Sequence, residues 1–209
     1  MLTYSDILNI VLIETGQWLI GLEATAIEPK QMELLIKREL ALYSRYFPRV
    51  VNKTGRLYNG YIFTEEKDGE VPQKIISIRT EYTQPYSYNF NRKPVTILAS
   101  NWSYEKPKLF LRFQSDIYQY TYIIPHKYIH DEDIDKCGIE SLNEFDSNFL
   151  NLIIGKFLMT VGRSRRAFVL NDIPFNMDAD QLYSEGKDLY DSAVETVRSN
   201  SSFQLAIIV

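Results

Sequence analysis

The segment HKYIHDEDIDKCG, residues 126–138, carries the densest set of side chains that could do chemistry. It holds both histidines of the chain, His126 and His130, and the single cysteine, Cys137, with aspartates at alternate positions between them. Histidine nitrogens, thiolates and carboxylates are the usual protein ligands of zinc. One hypothesis is therefore a metal-dependent enzyme that uses His126 and His130.

The same segment departs from the calcium-binding template that it partly matches. Asp131, Asp133 and Asp135 stand at the first three ligand spacings of a calcium loop. Lys136 then occupies the position at which the loop requires glycine, and Leu142 occupies the position of its bidentate glutamate. We therefore predict a polar linker with solvated carboxylates, and we expect neither a bound metal nor a cofactor.

The rest of the chain lacks the motifs that identify common enzyme classes. It contains no phosphate-binding loop, no dinucleotide-binding glycine motif, no HExxH and no Gly-x-Ser-x-Gly. Because both histidines lie in one short segment, a histidine-based triad could form only there. We predict that the protein has no catalytic residues and is not an enzyme.

The stretch VGRSRRAF holds the densest positive cluster of the chain: Arg163, Arg165 and Arg166. Cations at the end of a helix complement the helix dipole, which is one interpretation of the cluster. The other is a contact with DNA phosphates or with an acidic partner surface. The formal net charge of −4 argues against nucleic-acid binding over the whole surface, but a local basic patch stays compatible with it.

Tyrosine is the compositional outlier, with 15 copies. The alternation in IYQYTYII directs Tyr118, Tyr120 and Tyr122 to one face of a strand. That face can pack across strands inside the protein, or it can form a protein interface, where tyrosine is enriched. Stacking on bases is less favoured, because the stretch has none of the lysines and arginines that accompany such platforms.

Helical periodicity at both ends of the chain surrounds a strand-rich middle. A helix begins after Thr3, and a second runs from Pro29 to the residue before Pro48. The alternating pattern between about residues 57 and 125 predicts an antiparallel sheet of five or six strands. A helical hairpin follows over about 146–198, and Gly186 in its second helix indicates that another helix crosses closely there.

These elements predict an α+β fold in which a helical hairpin packs with the N-terminal helices. We expect four segments: N-terminal helices over 1–50, an inserted antiparallel β domain over 51–130, the hairpin over 131–198 and an extended arm over 199–209. The strong change of period between the segments is the basis of these boundaries.

The closing stretch SNSSFQLAIIV has the pattern of a strand that follows a loose spacer. Apolar residues occupy alternate positions, namely Phe203, Leu205, Ile207 and Val209. A strand at a chain end can add to the edge of a sheet, in its own molecule or in a neighbouring subunit. We predict that these four residues bind a neighbouring subunit or an adjoining ring.

The N-terminal stretch MLTYSDILNIVLIETGQWLIGL is apolar but does not have the features of an export signal. It lacks a basic leading segment, and Asp6 and Glu14 interrupt it. No run of about 18 apolar residues indicates a membrane span, and one cysteine cannot form an intramolecular disulfide. We expect a protein that is made in the cytoplasm and has no membrane partner.

Both ends of the chain resemble neck, or head-to-tail connector, proteins of tailed bacteriophages. The stretches that carry this resemblance are MLTYSDILNIVLIETG, IKRELALYSRYFPRV, FLNLIIGKFLMTVGRSRRAF and NDIPFNMDADQLYSEGKDLYDSAVETVRSNSSFQLAI. The resemblance covers about half of the chain. It is a similarity in residue pattern and in the order of the stretches, without an invariant motif. The strand-rich middle departs from these mostly helical adaptors.

The resemblance implies a structural virion protein located in the phage neck. It would form a ring of copies of itself, a dodecamer, that connects the portal and head to the tail. The implied partners are the portal protein, other neck or tail proteins and packaged DNA in the lumen. The alternative is a peripheral tail module that binds carbohydrate or a receptor through the tyrosine-rich sheet.

Overall fold

The computed structural model describes residues 1–16, 27–65, 71–82, 95–98, 101–112, 117–167 and 176–200. These residues form four α-helices and three antiparallel sheets, which confirms the α+β class. The chain divides into two compact units. Unit 1 comprises Met1–Phe47 with His126–Val209, and unit 2 is the intervening stretch Pro48–Pro125.

Unit 1 contains four α-helices in its described residues. They are α1 (Tyr4–Glu14), α2 (Pro29–Tyr46), α3 (Ser147–Ala167) and α4 (Asn176–Ser199). The Thr3 hydroxyl accepts from the Asp6 N–H at 3.1 Å, and the Asp6 carboxylate accepts from the Thr3 N–H at 3.0 Å. This reciprocal pair satisfies two of the donors that a helix N-terminus leaves free.

A small sheet joins the N-terminus of unit 1 to the polar segment. Its strands are β1 (Leu2–Thr3), β9 (Tyr128–Ile129) and β10 (Gly138–Ile139), in the order β1-β10-β9. Gly138 faces Leu2 so closely that a Cβ there would lie 2.5 Å from the Leu2 carbonyl oxygen. Residues 130–137 therefore form a short excursion that is fixed at both ends by strands.

The helices α3 and α4 pack against each other through glycines. A Cβ on Gly186 would lie 2.6 Å from Leu158 Cβ and 2.7 Å from the Met159 nitrogen, so the close approach that Gly186 predicts is present. Gly155 lies against Tyr190 and Gly162 lies against Tyr183, which makes the two helices antiparallel. The connection of the predicted hairpin, residues 168–175, lies outside the described residues.

Unit 1 has one apolar core to which all four helices contribute. Its fully buried members include Ile7 from α1, Ile36 from α2, Phe149 and Phe157 from α3, and Val197 from α4. None of the helices described here is both long enough and apolar enough to span a bilayer.

Unit 2 contains two sheets in its described residues. The larger has the order β2-β8-β4-β5, with β2 (Arg49–Arg56), β8 (Ile117–Ile124), β4 (Lys74–Tyr82) and β5 (Val95–Leu98). The smaller has the order β3-β7-β6, with β3 (Tyr61–Phe63), β7 (Lys108–Leu111) and β6 (Trp102–Glu105).

This arrangement differs from the single sheet that the sequence predicts. The strand β2 has the sequence RVVNKTGR, and its residues alternate between half-buried and exposed. Because few of them are apolar, the hydrophobicity pattern does not show this alternation. The strand is held instead by backbone pairing with β8 along its whole length, from Arg49 opposite Ile124 to Arg56 opposite Ile117. The β region therefore begins earlier in the chain than the apolar pattern indicates.

Candidate functional site

The two histidines of the polar segment do not meet in the structure. His126 Nε2 lies 2.7 Å from the Phe47 carbonyl oxygen, and its Nδ1 lies 2.7 Å from the Ser141 hydroxyl. Because a carbonyl only accepts, Nε2 carries a proton and donates to Phe47. Both nitrogens of His126 thus bind structural partners, and His126 is not a member of the group of possible ligands that the described residues form around His130.

His130 instead meets a carboxylate from α2 and the only cysteine. Its Nδ1 lies 3.3 Å from Glu33 Oε1 and 3.8 Å from Cys137 Sγ. The ligand atoms of the three residues all lie within 4.8 Å of one another. We call this group the Glu33–His130–Cys137 cluster. Glu33 is the member that sequence reasoning missed, because it lies far from the polar segment along the chain.

Three separate elements position the cluster. Glu33 lies on the second turn of α2, with its side chain 13% exposed, and Lys37 Nζ lies 2.7 Å from its Oε1. Cys137 is fully buried just before β10, and its sulfur accepts the Asp131 N–H at 3.2 Å. His130 follows β9 with its side chain 73% exposed. The cluster is thus buried on its cysteine side and open to solvent on its histidine side.

Two tyrosines line the buried side of the cluster. Burial, together with the nearby Asp135 and Glu33, raises the pKa of Tyr4 to about 12. Burial also raises the pKa of Tyr128, with Cys137 and Glu33 adding to the effect. The Tyr128 hydroxyl is enclosed and has no hydrogen-bond partner among the described residues. Lys37 holds the pKa of Glu33 below its usual range, so the Glu33 carboxylate is ionised beside these neutral phenols.

The arginine cluster lies at the end of α3 and faces α4. Arg163 donates to the Tyr183 hydroxyl at 3.2 Å, and the guanidinium of Arg166 lies 4.7 Å from the centre of the Tyr183 ring. Arg166 also forms an ion pair with Asp180. Arg165 likewise interacts with another group of the protein. Arg163 and Arg166 therefore connect two helices of the same molecule. A contact of the cluster with DNA or an acidic partner stays a prediction.

The tyrosine face of β8 is directed into unit 2. Tyr118, Tyr120 and Tyr122 are 0%, 3% and 0% exposed, and the rings of Tyr120 and Tyr122 stack at 5.7 Å. All three belong to the apolar core formed by strands of both sheets of unit 2. The structure therefore corrects the hypothesis of an exposed tyrosine interface and favours cross-strand packing.

Phe145 is an exposed aromatic residue that the sequence did not single out. Its side chain is 82% exposed in the turn that precedes α3. The turn is fixed by its own polar groups, because the Phe145 N–H donates to Asn143 Oδ1 at 2.8 Å and the Asn143 N–H donates to Asp146 Oδ2 at 2.7 Å. The sequence indicates this turn only through Asn143 and Asp146, which are residue types that favour turns and helix starts.

The four alternating residues of the predicted arm, Phe203, Leu205, Ile207 and Val209, lie outside the described residues. In comparisons with known proteins, no family model matches this chain and no curated protein matches it.

Proposed function

We propose that this protein is a structural component of the neck of a tailed bacteriophage, where it acts by assembling with copies of itself and with the portal protein. The resemblance of its two ends to connector proteins is the starting point of the proposal. The observation that carries it is Phe145, a large apolar side chain held out from an ordered turn of the helical unit.

An exposed phenylalanine on a fixed turn has the properties of an interface anchor. Aromatic side chains dominate the binding energy of many interfaces when they enter a pocket on the partner. Burying a phenylalanine contributes about 1.5–3 kcal/mol. The hydrogen bonds from Phe145 to Asn143 and from Asn143 to Asp146 fix the backbone before binding. Less conformational entropy is then lost on docking.

The pairing of α3 with α4 supports a role in assembly. Backbone contact at Gly155, Gly162 and Gly186 leaves little space between the helices. The stacking of Arg163 and Arg166 on Tyr183 adds a second connection near the end of α3. A stiff helix pair suits an interface in a ring, because closure of a ring requires the same rotation at every interface.

The alternative is a tail module that binds carbohydrate or a receptor through the tyrosine-rich sheet. Three tyrosines of that sheet, Tyr118, Tyr120 and Tyr122, are core residues of unit 2 and cannot form such a binding surface. The predicted docking of the C-terminal arm through residues 203–209 stays part of the assembly proposal.

The test is the substitution Phe145→Ser, with Phe63→Ser as the matched control. Phe63 is also exposed, at 54%, but belongs to unit 2. We expect the Phe145 variant to keep its thermal midpoint and to lose ring formation with the portal protein of the same phage, as measured by light scattering and negative-stain images. The control variant should assemble normally.

Antibody labelling of intact virions gives an independent test of location. The label should lie at the junction of head and tail. Labelling of the distal tail, or normal assembly of the Phe145 variant, would contradict the proposal.

A further inference from the structure

The Glu33–His130–Cys137 cluster has the spacing of a metal site. Tetrahedral zinc, with ligand distances of about 2.0–2.3 Å, separates a nitrogen and an oxygen ligand by about 3.3 Å and a nitrogen and a sulfur ligand by about 3.5 Å. The observed distances are 3.3 Å between His130 Nδ1 and Glu33 Oε1 and 3.8 Å between His130 Nδ1 and Cys137 Sγ. All three ligand atoms lie within 4.8 Å of one another, so the Glu33 and Cys137 side chains would move toward a common centre when a metal binds.

The chemistry of the three donors selects a zinc-class ion. Thiolate and imidazole ligands suit zinc, whereas calcium and magnesium require oxygen ligands. The Asp131 N–H that points at Cys137 Sγ from 3.2 Å is the kind of outer hydrogen bond that steadies a thiolate ligand. The thiol itself donates to the carbonyl oxygens of Asp131 and Asp133, at 3.5 and 3.7 Å, and a bound metal would replace its proton.

Lys37 is the group that a metal must displace, since its Nζ lies 2.7 Å from Glu33 Oε1. The same ammonium lies 4.9 Å from the centre of the Tyr128 ring. A cation–π contact with this ring can therefore hold Lys37 after it leaves Glu33. The exposed side of His130 leaves room for a water molecule as the fourth ligand.

We propose that Glu33, His130 and Cys137 bind one Zn²⁺ ion, with water as the fourth ligand. The ion ties the excursion 130–137 to α2, close to the point where the chain returns from unit 2 into unit 1. Its effect is comparable to that of a cross-link between distant parts of the chain, because Glu33 and His130 are connected through the whole of unit 2. This replaces the expectation from sequence that no metal is bound.

The experiment is titration of the full chain, stripped with a chelator under reducing conditions, with Zn²⁺ and separately with Co²⁺. We expect one equivalent to bind, a higher thermal midpoint with zinc, and thiolate-to-cobalt charge-transfer absorption with cobalt. Cys137→Ser should abolish that absorption. Glu33→Gln and His130→Ala should each weaken zinc binding by at least about tenfold.

The matched control is Glu132→Gln, which removes an exposed carboxylate two residues from His130 and outside the cluster. It should bind zinc as the unchanged protein does. Circular dichroism of each variant without metal confirms that it is folded. Absence of a stoichiometric site in the unchanged protein, or equal zinc affinity in folded Glu33→Gln and Glu132→Gln, would overturn the proposal and leave only a polar contact between His130 and Glu33.

Discussion

At the scale of single residues, the most unusual side chain is a carboxylate inside the helical core. Glu39 of α2 is 1% exposed, and its Oε2 accepts the Tyr190 hydroxyl of α4 at 2.9 Å. Burial raises the pKa of Glu39, and the hydrogen bond from Tyr190 with the nearby Lys156 and Arg38 only partly offsets this. The carboxylate thus connects α2 to α4 at a cost in desolvation.

The raised pKa gives a prediction with a definite sign. A carboxyl group whose pKa is higher in the folded state stabilises the fold below its unfolded value of 4.5, and this stability is lost as pH rises through the folded value. Glu39→Gln keeps an acceptor for Tyr190 and removes the charge. We expect this variant to have a higher free energy of unfolding at pH 7 than the unchanged protein, and a difference that shrinks below about pH 4.

Urea unfolding over a series of pH values measures this difference. Exposed Glu140→Gln is the control and should leave the pH dependence unchanged. The opposite result would be a Glu39→Gln variant that is less stable than the unchanged protein at pH 7, with a smaller deficit at pH 4. That result would show that the charge itself is needed for the α2–α4 contact.

At the scale of secondary-structure elements, the pairing of α3 with α4 is set by residues that have no side chain. Gly155 and Gly186 face each other across the contact, and a Cβ on either would lie less than 3.0 Å from backbone atoms of the other helix. Backbone atoms cannot move aside as the end of a flexible side chain can. The helices must therefore separate if either glycine is replaced.

Gly186→Ala tests this contact against intrinsic helix propensity. Alanine favours a helix over glycine by about 1 kcal/mol, but the overpacking that it causes costs about 1–3 kcal/mol. We expect a net loss of stability, seen as a lower denaturant midpoint with an unchanged slope. Ser184→Ala, at an exposed position two residues away on α4, should change stability by less than about 0.5 kcal/mol. Stabilisation by Gly186→Ala would mean that the helices are not in backbone contact.

At the scale of the whole molecule, unit 2 is inserted between two points of unit 1 that lie side by side. Phe47 ends the first part of unit 1 and His126 begins the second, and the His126 Nε2 lies 2.7 Å from the Phe47 carbonyl oxygen. The His126 N–H also donates to the Ser44 hydroxyl at 3.1 Å. Each unit has an apolar core of its own, as expected of a unit that can fold independently.

Replacing residues 48–125 by a short glycine-rich bridge should therefore leave unit 1 folded. We expect cooperative thermal unfolding and the helix content of α1 to α4, as measured by circular dichroism. A second protein in which the bridge is combined with His126→Ala should be less stable, because the junction loses the side-chain hydrogen bonds of His126 to Phe47 and Ser141. A shortened chain that is unfolded or aggregated would show that unit 2 is part of the same folding unit.

The sequence by itself determined the features that depend on neighbouring residues. The capping pair Thr3 and Asp6, the proline at the start of α2 and the alternation of β8 all act through local geometry, so they could be recognised without a structure. The close approach at Gly186 could also be predicted, because a glycine inside a helix is costly unless something requires its small size.

Only the tertiary structure decided which distant residues share a site. Packing of α2 beside the excursion 130–137 brings Glu33 to His130 and Cys137, and no spacing rule connects positions so far apart in the chain. The same is true of the face that β8 buries: an alternating pattern shows that its tyrosines share a side, and only the packing of both sheets of unit 2 shows that this side is the interior. Periodicity is a local property, whereas the composition of a site depends on how elements pack.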